Sequence, residues 1–179
     1  GFPLVPQMVK YTSVLTRWIV EGLVVRYPFL SAGVIGKSVM GKDIWSIWIG
    51  TGAKQVFYSA SYHANESITT PVLLAFAEEY AASYASGGNI VFSSAAGAEN
   101  DGQTDMGQES VDARTLYNEF QLCMVPLVNP DGVDLVNGLL NSGVYYRRAR
   151  LIAENYPAIP FPDGWKANIE GVDLNLQFP

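Results

Sequence analysis

Strand-patterned and helix-patterned segments alternate along the whole chain, and this alternation constrains the fold more than any other feature. Residues 11–27 carry apolar side chains at Val14, Leu15, Trp18, Ile19, Leu23 and Val24. That three-and-four spacing predicts an amphipathic helix, ended by Pro28. Residues 33–39 and 43–49 then read as β-strands joined by a Gly41-Lys42-Asp43 hairpin turn. In the second of them Ile44, Ser46 and Trp48 alternate with Trp45, Ile47 and Ile49, so both faces are largely apolar and the strand is expected to be covered on both sides. Residues 55–61 form a third strand that runs straight into His63. Residues 67–84 give the strongest helix, with Pro71 in its first turn and a stripe of Ile68, Val72, Leu73, Phe76, Ala77 and Tyr80. A short strand at 90–93, a helix at 110–120 and a buried strand at 121–128 follow, the last ending at Asn129-Pro130-Asp131-Gly132, which reads as a tight turn. A helix over 148–154 and a strand end at 171–175 complete the pattern. Strands interleaved with helices over one core, without repeats or an internal linker, predict a single α/β domain with a mixed sheet.

Composition narrows the function. With 179 residues, 49% of them hydrophobic and 16% charged, the chain is neither disordered nor a disulfide scaffold. A domain of this size buries roughly 70% of its unfolded surface. The lone Cys123 lies in an apolar run and reads as a buried thiol. A net charge of −6 argues against nucleic acid as a partner, and Arg147, Arg148 and Arg150 are too small a basic cluster to reverse that. No apolar run reaches the ~18–20 residues of a membrane span. No signal peptide opens the chain, and Gly1 in place of methionine fits a processed or engineered start. Cytoplasm and cell envelope both stay open as locations. Residues 96–112 carry Glu99, Asp101, Asp105, Glu109 and Asp112, and read as a solvated acidic loop whose spacing matches no calcium-binding loop. Trp18, Trp45 and Trp48 are expected in the core, whereas Trp165 falls in an irregular stretch beside a candidate site.

Chemistry converges on the single histidine. His63 is followed three residues later by Glu66, where a strand gives way to a helix. Open α/β sheets put their ligand sites at such strand ends. An imidazole nitrogen and a carboxylate this close can share one zinc ion if the turn directs both inward. The plainer reading is a polar strand end with a carboxylate favoured by the helix dipole. A serine or cysteine hydrolase fits poorly, because Cys123 sits in a strand and His63 is the only base.

The wider segment Tyr62-His63-Ala64-Asn65-Glu66-Ser67-Ile68-Thr69-Thr70-Pro71 resembles the zinc-binding segment of the carboxypeptidase A-like zinc peptidases. Three more segments agree in family order: 35–44 (Ile-Gly-Lys-Ser-Val-Met-Gly-Lys-Asp-Ile), 126–133 (Pro-Leu-Val-Asn-Pro-Asp-Gly-Val) and 165–175 (Trp-Lys-Ala-Asn-Ile-Glu-Gly-Val-Asp-Leu-Asn). Within the family the chain is most similar to the bacterial γ-D-glutamyl-diamino acid endopeptidase branch, which trims peptidoglycan stem peptides. The resemblance implies a three-layer α/β/α architecture with zinc as cofactor and a peptide, in particular a cell-wall stem peptide, as substrate.

Residue by residue, the resemblance makes His63 and Glu66 two of three zinc ligands. The third is a histidine further along, and the chain has no second histidine. The family's general-base glutamate also lies downstream. The expectation is therefore that residues 1–179 are the N-terminal portion of one zinc-peptidase-like domain, incomplete at the C-terminus and inactive as a fragment. Its uncovered sheet edge would favour self-association. The rival expectation is a non-catalytic binding or structural module that keeps the fold without a full zinc site. For the cation that stabilises the oxyanion, the resemblance offers Lys166 first and Arg147 second. Asn175 matches the asparagine that helps hold the substrate's terminal carboxylate. Leu176 stands where carboxypeptidases carry an arginine, either removing the bidentate clamp or packing into the core.

Overall fold

The computed structural model describes residues 2–95 and 106–178. Helix α1 (Ser13–Arg26) leads into the hairpin β1 (Ser31–Lys37) and β2 (Asp43–Ile49), then β3 (Lys54–Ser59) and helix α2 (Thr69–Ser86). Strands β4 (Asn89–Ala95) and β5 (Met106–Asp112) follow, then α3 (Ala113–Glu119), β6 (Phe120–Val125), α4 (Pro130–Val136) and α5 (Gly143–Ala153). Two single 3-10 turns, Ala64–Glu66 and Leu174–Leu176, flank the candidate site.

The main sheet has the order β1-β2-β6-β3. β1 with β2 and β2 with β6 are antiparallel, while β3 and β6 run parallel. The sheet is therefore mixed, as the alternation of elements predicts. β4 and β5 form a separate antiparallel ribbon.

Register decides which side chains meet the helices. Ile47 opposes Met124, Ile49 opposes Leu122, and Leu122 neighbours Val56. These residues share one face, where they pack with Ile19, Val20 and Leu23 of α1 and with Leu74, Ala77 and Tyr80 of α2. The opposite face carries Trp48, Cys123 and Phe57 side by side, with Phe57 59% exposed. Burial pushes the Cys123 thiol pKa up. Little thiolate exists at pH 8, so a thiol reagent is expected to label Cys123 slowly until the chain is unfolded. Labelling of the folded protein at the rate of a free thiol would contradict that placement.

Local chemistry sets the element ends. Thr12 caps α1 by accepting from the Leu15 N–H at 3.3 Å, and α2 ends at Gly87 in the left-handed region, φ +69°. The β2–β3 connection passes so close to the α3–β6 junction that a Cβ on Gly52 would lie 1.9 Å from the Glu119 carbonyl carbon. Only glycine permits that approach.

Four expectations change. Trp18 is 63% exposed rather than core, because α1 turns Thr16, Ile19, Val20 and Leu23 inward and leaves Trp18 outside that stripe. Residues 106–112, read as part of an acidic loop, form β5 through pairing with β4, a long-range bond pattern that no local propensity encodes. The rest of that loop lies outside the described residues. Asn129-Pro130-Asp131-Gly132 opens helix α4 instead of making an isolated turn, with Asn129 as N-cap and Pro130 in the first turn. Residues 171–175, read as a strand end, are a bend that leads into the second 3-10 turn, Leu174–Leu176.

A second apolar cluster lies beyond the strand ends, built from Leu127, Val133, Leu135, Ala149, Trp165 and Ile169. It supports α4, α5 and the irregular segment 154–173. Buried charges join it to the hairpin. Asp134 accepts from the Ser13 N–H at 2.7 Å and from Lys42 Nζ at 2.7 Å. Asp131 accepts from the Met40 N–H at 3.0 Å and pairs with Lys42 at 3.2 Å.

Candidate active site

The chain leaves β3 through a sharp change of direction. Ser61 takes a left-handed φ of +54°, unusual for a residue with a side chain. The start of α2 holds it there: its N–H donates to Thr69 Oγ1 at 2.9 Å and its hydroxyl meets Thr70 Oγ1 at 2.7 Å. Thr70 in turn donates to the Pro126 carbonyl at 2.6 Å. The backbone continues into the first 3-10 turn, which puts His63 at its cap and Glu66 at its end.

His63 Nδ1 lies 3.3 Å from Glu66 Oε1, and Nε2 lies 3.2 Å from Asp173 Oδ1. A carboxylate accepts only, so in the tautomer protonated at Nε2 the ring donates to Asp173 Oδ1. The Nδ1 lone pair of the neutral ring then faces a second acceptor, Glu66. In that tautomer the two acceptors offer a cation a place between them. Donors on a tetrahedral zinc ion, at bond lengths of 2.0–2.1 Å, stand about 3.3 Å apart. The pair fits zinc in donor type and in spacing. Among the described residues no group of three or more His, Cys, Asp or Glu could hold a metal ion.

Lys166 Nζ approaches Glu66 Oε1 to 3.8 Å. Its backbone is anchored to the same turn, for the Ala64 N–H donates to the Lys166 carbonyl at 3.0 Å. Asn175 lines a cavity of about 260 Å³ together with Ser59, Ser61, Tyr62, His63 and Glu66. Its own N–H donates to Asp173 Oδ1 at 3.0 Å, which holds the second 3-10 turn against the histidine. His63, Glu66, Lys166 and Asn175 are thus brought together. Arg147 is not: it is an exposed residue of α5 and lines neither this cavity nor the larger one beside it. Leu176 is 73% exposed, which removes the expectation that it packs into the core.

Sequence reasoning missed two residues. Asp173 was legible only as part of a family segment, since its partner is 110 positions away. Asn129 looked like a turn residue, yet its buried side-chain amide donates to the Tyr62 and Ala167 carbonyls at 3.0 Å each. It ties the His63 strand end to the Lys166 segment. Gly132 completes the junction, because a Cβ there would sit 2.7 Å from the Ala167 carbonyl oxygen.

The fold thus sets a histidine–carboxylate pair at a strand end of a mixed sheet, backed by a second carboxylate. The sequence profile of the zinc carboxypeptidases matches residues 16–179, and the chain belongs to that family. It is 40% identical over 161 residues to gamma-D-glutamyl-L-diamino acid endopeptidase 1 of Lysinibacillus sphaericus, covering 89% of this chain and 35% of that protein. It is 41% identical over 156 residues to the uncharacterized protein YqgT of Bacillus subtilis (strain 168), covering 86% of this chain and 36% of that protein. The chain therefore spans about a third of the length of these relatives. Among solved structures, bovine thrombin-activatable fibrinolysis inhibitor, in complex with tick carboxypeptidase inhibitor, superposes with a TM-score of 0.55 at 15% identity, over 89% of this chain and 37% of that one. Carboxypeptidase A from Helicoverpa armigera gives 0.52 at 17% identity, over 76% and 28%. At these identities the likeness establishes the fold.

Proposed function

We propose that this chain supplies the first part of a zinc peptidase site that hydrolyses γ-D-glutamyl-diamino acid bonds in peptidoglycan stem peptides. The observation that carries the reading is the convergence of His63 Nδ1 on Glu66, with Asp173 holding the far ring nitrogen. The 40% identity to an endopeptidase of that name supports the substrate class. Zinc, when bound, supplies a Lewis acid that polarises the scissile carbonyl and activates water.

Each side chain then has a defined task. His63 and Glu66 hold the ion. Asp173 holds the imidazole in the ligating orientation through its hydrogen bond to Nε2. Lys166 donates to the oxyanion that develops at the scissile carbonyl, and Asn175 orients the substrate along the cavity. Leu176 offers no donor, so the site does not select a free C-terminal carboxylate through a guanidinium fork. The single histidine leaves residues 1–179 with two zinc ligands, and by themselves they are expected to show little turnover.

The test uses the intact protein and L-alanyl-γ-D-glutamyl-diaminopimelate with a free or amidated C-terminus. Comparable rates on the two are expected, and Lys166→Met should lower kcat about 100-fold with zinc content unchanged. Arg147→Met should leave kcat within about twofold, as for a surface cation. A large rate loss on amidation would refute the specificity argument. Full activity in Lys166→Met, with a loss in Arg147→Met, would transfer the oxyanion role to Arg147.

A further inference from the structure

Both proposed zinc ligands sit on the short segment between Ser61 and Glu66, and a single hydroxyl closes its two ends. Thr69 Oγ1 lies 2.9 Å from the Ser61 nitrogen and 3.0 Å from the Glu66 carbonyl oxygen. The Ser61 N–H stands two residues before His63, and the Glu66 carbonyl belongs to the second ligand itself. Within that loop His63 Nδ1 and Glu66 Oε1 face each other at 3.3 Å.

Proton accounting fixes the direction of each bond, because a hydroxyl carries one proton. The Thr70 proton goes to the Pro126 carbonyl at 2.6 Å, so Thr70 Oγ1 accepts from Ser61 Oγ at 2.7 Å. The Thr69 proton goes to the Glu66 carbonyl, so the same oxygen accepts the Ser61 N–H. Ser61 Oγ also lies 3.1 Å from Thr69 Oγ1, but its proton goes to the nearer Thr70. Thr70 is fully buried and roots the chain of hydroxyls just beyond the end of β6. Ser61, also buried, holds its φ of +54°, a conformation that persists only where the surroundings over-determine it. Here its N–H, its hydroxyl and its carbonyl are all engaged, the last by the Asn129 N–H at 3.1 Å. Every partner in the network lies within residues 61–129.

We propose that Thr69 is a positioning residue for the metal pair: its hydroxyl sets the His63–Glu66 separation by clamping the backbone at both ends of the segment that carries them. The inference rests on the zinc reading of His63 and Glu66 given above. Without the hydroxyl, the Ser61 N–H loses its acceptor and the Glu66 carbonyl its donor. The turn then samples a range of separations, and zinc binds only after ordering the two ligands itself. Affinity falls by the cost of that ordering.

Zinc affinity is measured in the intact protein by competition with a chelator, and cobalt(II) absorption reports the geometry of the site. Thr69→Val, which exchanges the hydroxyl for a methyl group, is expected to weaken zinc binding about tenfold or more and to alter the cobalt spectrum. Thr69→Ser keeps the hydroxyl, and should return affinity to within about threefold and restore the spectrum. Asp112→Ala removes the α3 cap, whose carboxylate accepts from the Thr115 N–H at 2.7 Å outside the cavity at His63. It should lower the urea midpoint and leave zinc affinity within about twofold, which separates positioning from general stability. Unchanged affinity in Thr69→Val, with zinc lost in His63→Ala, would overturn the positioning role and leave the metal pair standing. Equal losses in Thr69→Val and Thr69→Ser would overturn it too, as would a loss in Asp112→Ala that matches Thr69→Val. Undiminished affinity in His63→Ala would overturn the zinc reading and, with it, the proposal.

Discussion

Asn129→Ala is expected to destabilise the protein by about 3–5 kcal/mol, read as a fall in the urea midpoint at unchanged m-value. Asn129 is 2% exposed. Its amide donates to the carbonyls of Tyr62 and Ala167, and its Oδ1 accepts from the Gly132 N–H at 3.1 Å. Alanine leaves two carbonyls without this donor and removes the α4 cap. A buried polar group left unpaired costs about 1–3 kcal/mol, and a lost cap about 1 kcal/mol. The same substitution should weaken zinc binding, because the amide holds the His63 segment against the Lys166 segment. A loss below about 1 kcal/mol would mean that the carbonyls find water and that the junction is held by packing.

Asp134→Ala is the second large effect, at about 3–5 kcal/mol, the usual cost of breaking a buried ion pair from one side. Asp134 is fully buried and serves both the start of α1, through Ser13, and the β1–β2 hairpin, through Lys42. Removal leaves Lys42 with Asp131 as its one partner and takes the acceptor away from the start of α1, the Ser13 N–H. Removing Lys42 as well would leave the buried Asp131 without a cation, so the double variant Asp134→Ala/Lys42→Met should be less stable than Asp134→Ala alone. A single variant that costs under about 1 kcal/mol, or a double variant more stable than the single one, would contradict this reading of the cluster.

Much of this arrangement was legible because it is encoded locally. The apolar stripe of α2, the Gly41 turn and the strand running into His63 each depend on neighbours within one or two turns of chain. The proposed zinc-ligand pair is local too, since His63 caps and Glu66 ends a single 3-10 turn. What escaped is long-range. Trp18 had the right spacing for a core helix, but which side of α1 faces the sheet is set by Ile47 and Met124 across the fold. β5 exists because β4 pairs with it. Asp173 and Asn129 act across 110 and 67 positions, and a sequence alone carries no physical trace of such partners.

Metal binding tests the central claim most directly. In the intact protein, zinc content and affinity are measured by titration alongside His63→Ala, Glu66→Ala and Asp173→Asn, with X-ray absorption reporting the ligands. One zinc per chain with a nitrogen and oxygen shell is expected. Affinity should be lost in the first two variants, and should fall about 10–100-fold in Asp173→Asn, where a neutral amide replaces the charged partner of His63. One zinc bound with undiminished affinity in His63→Ala would contradict the site.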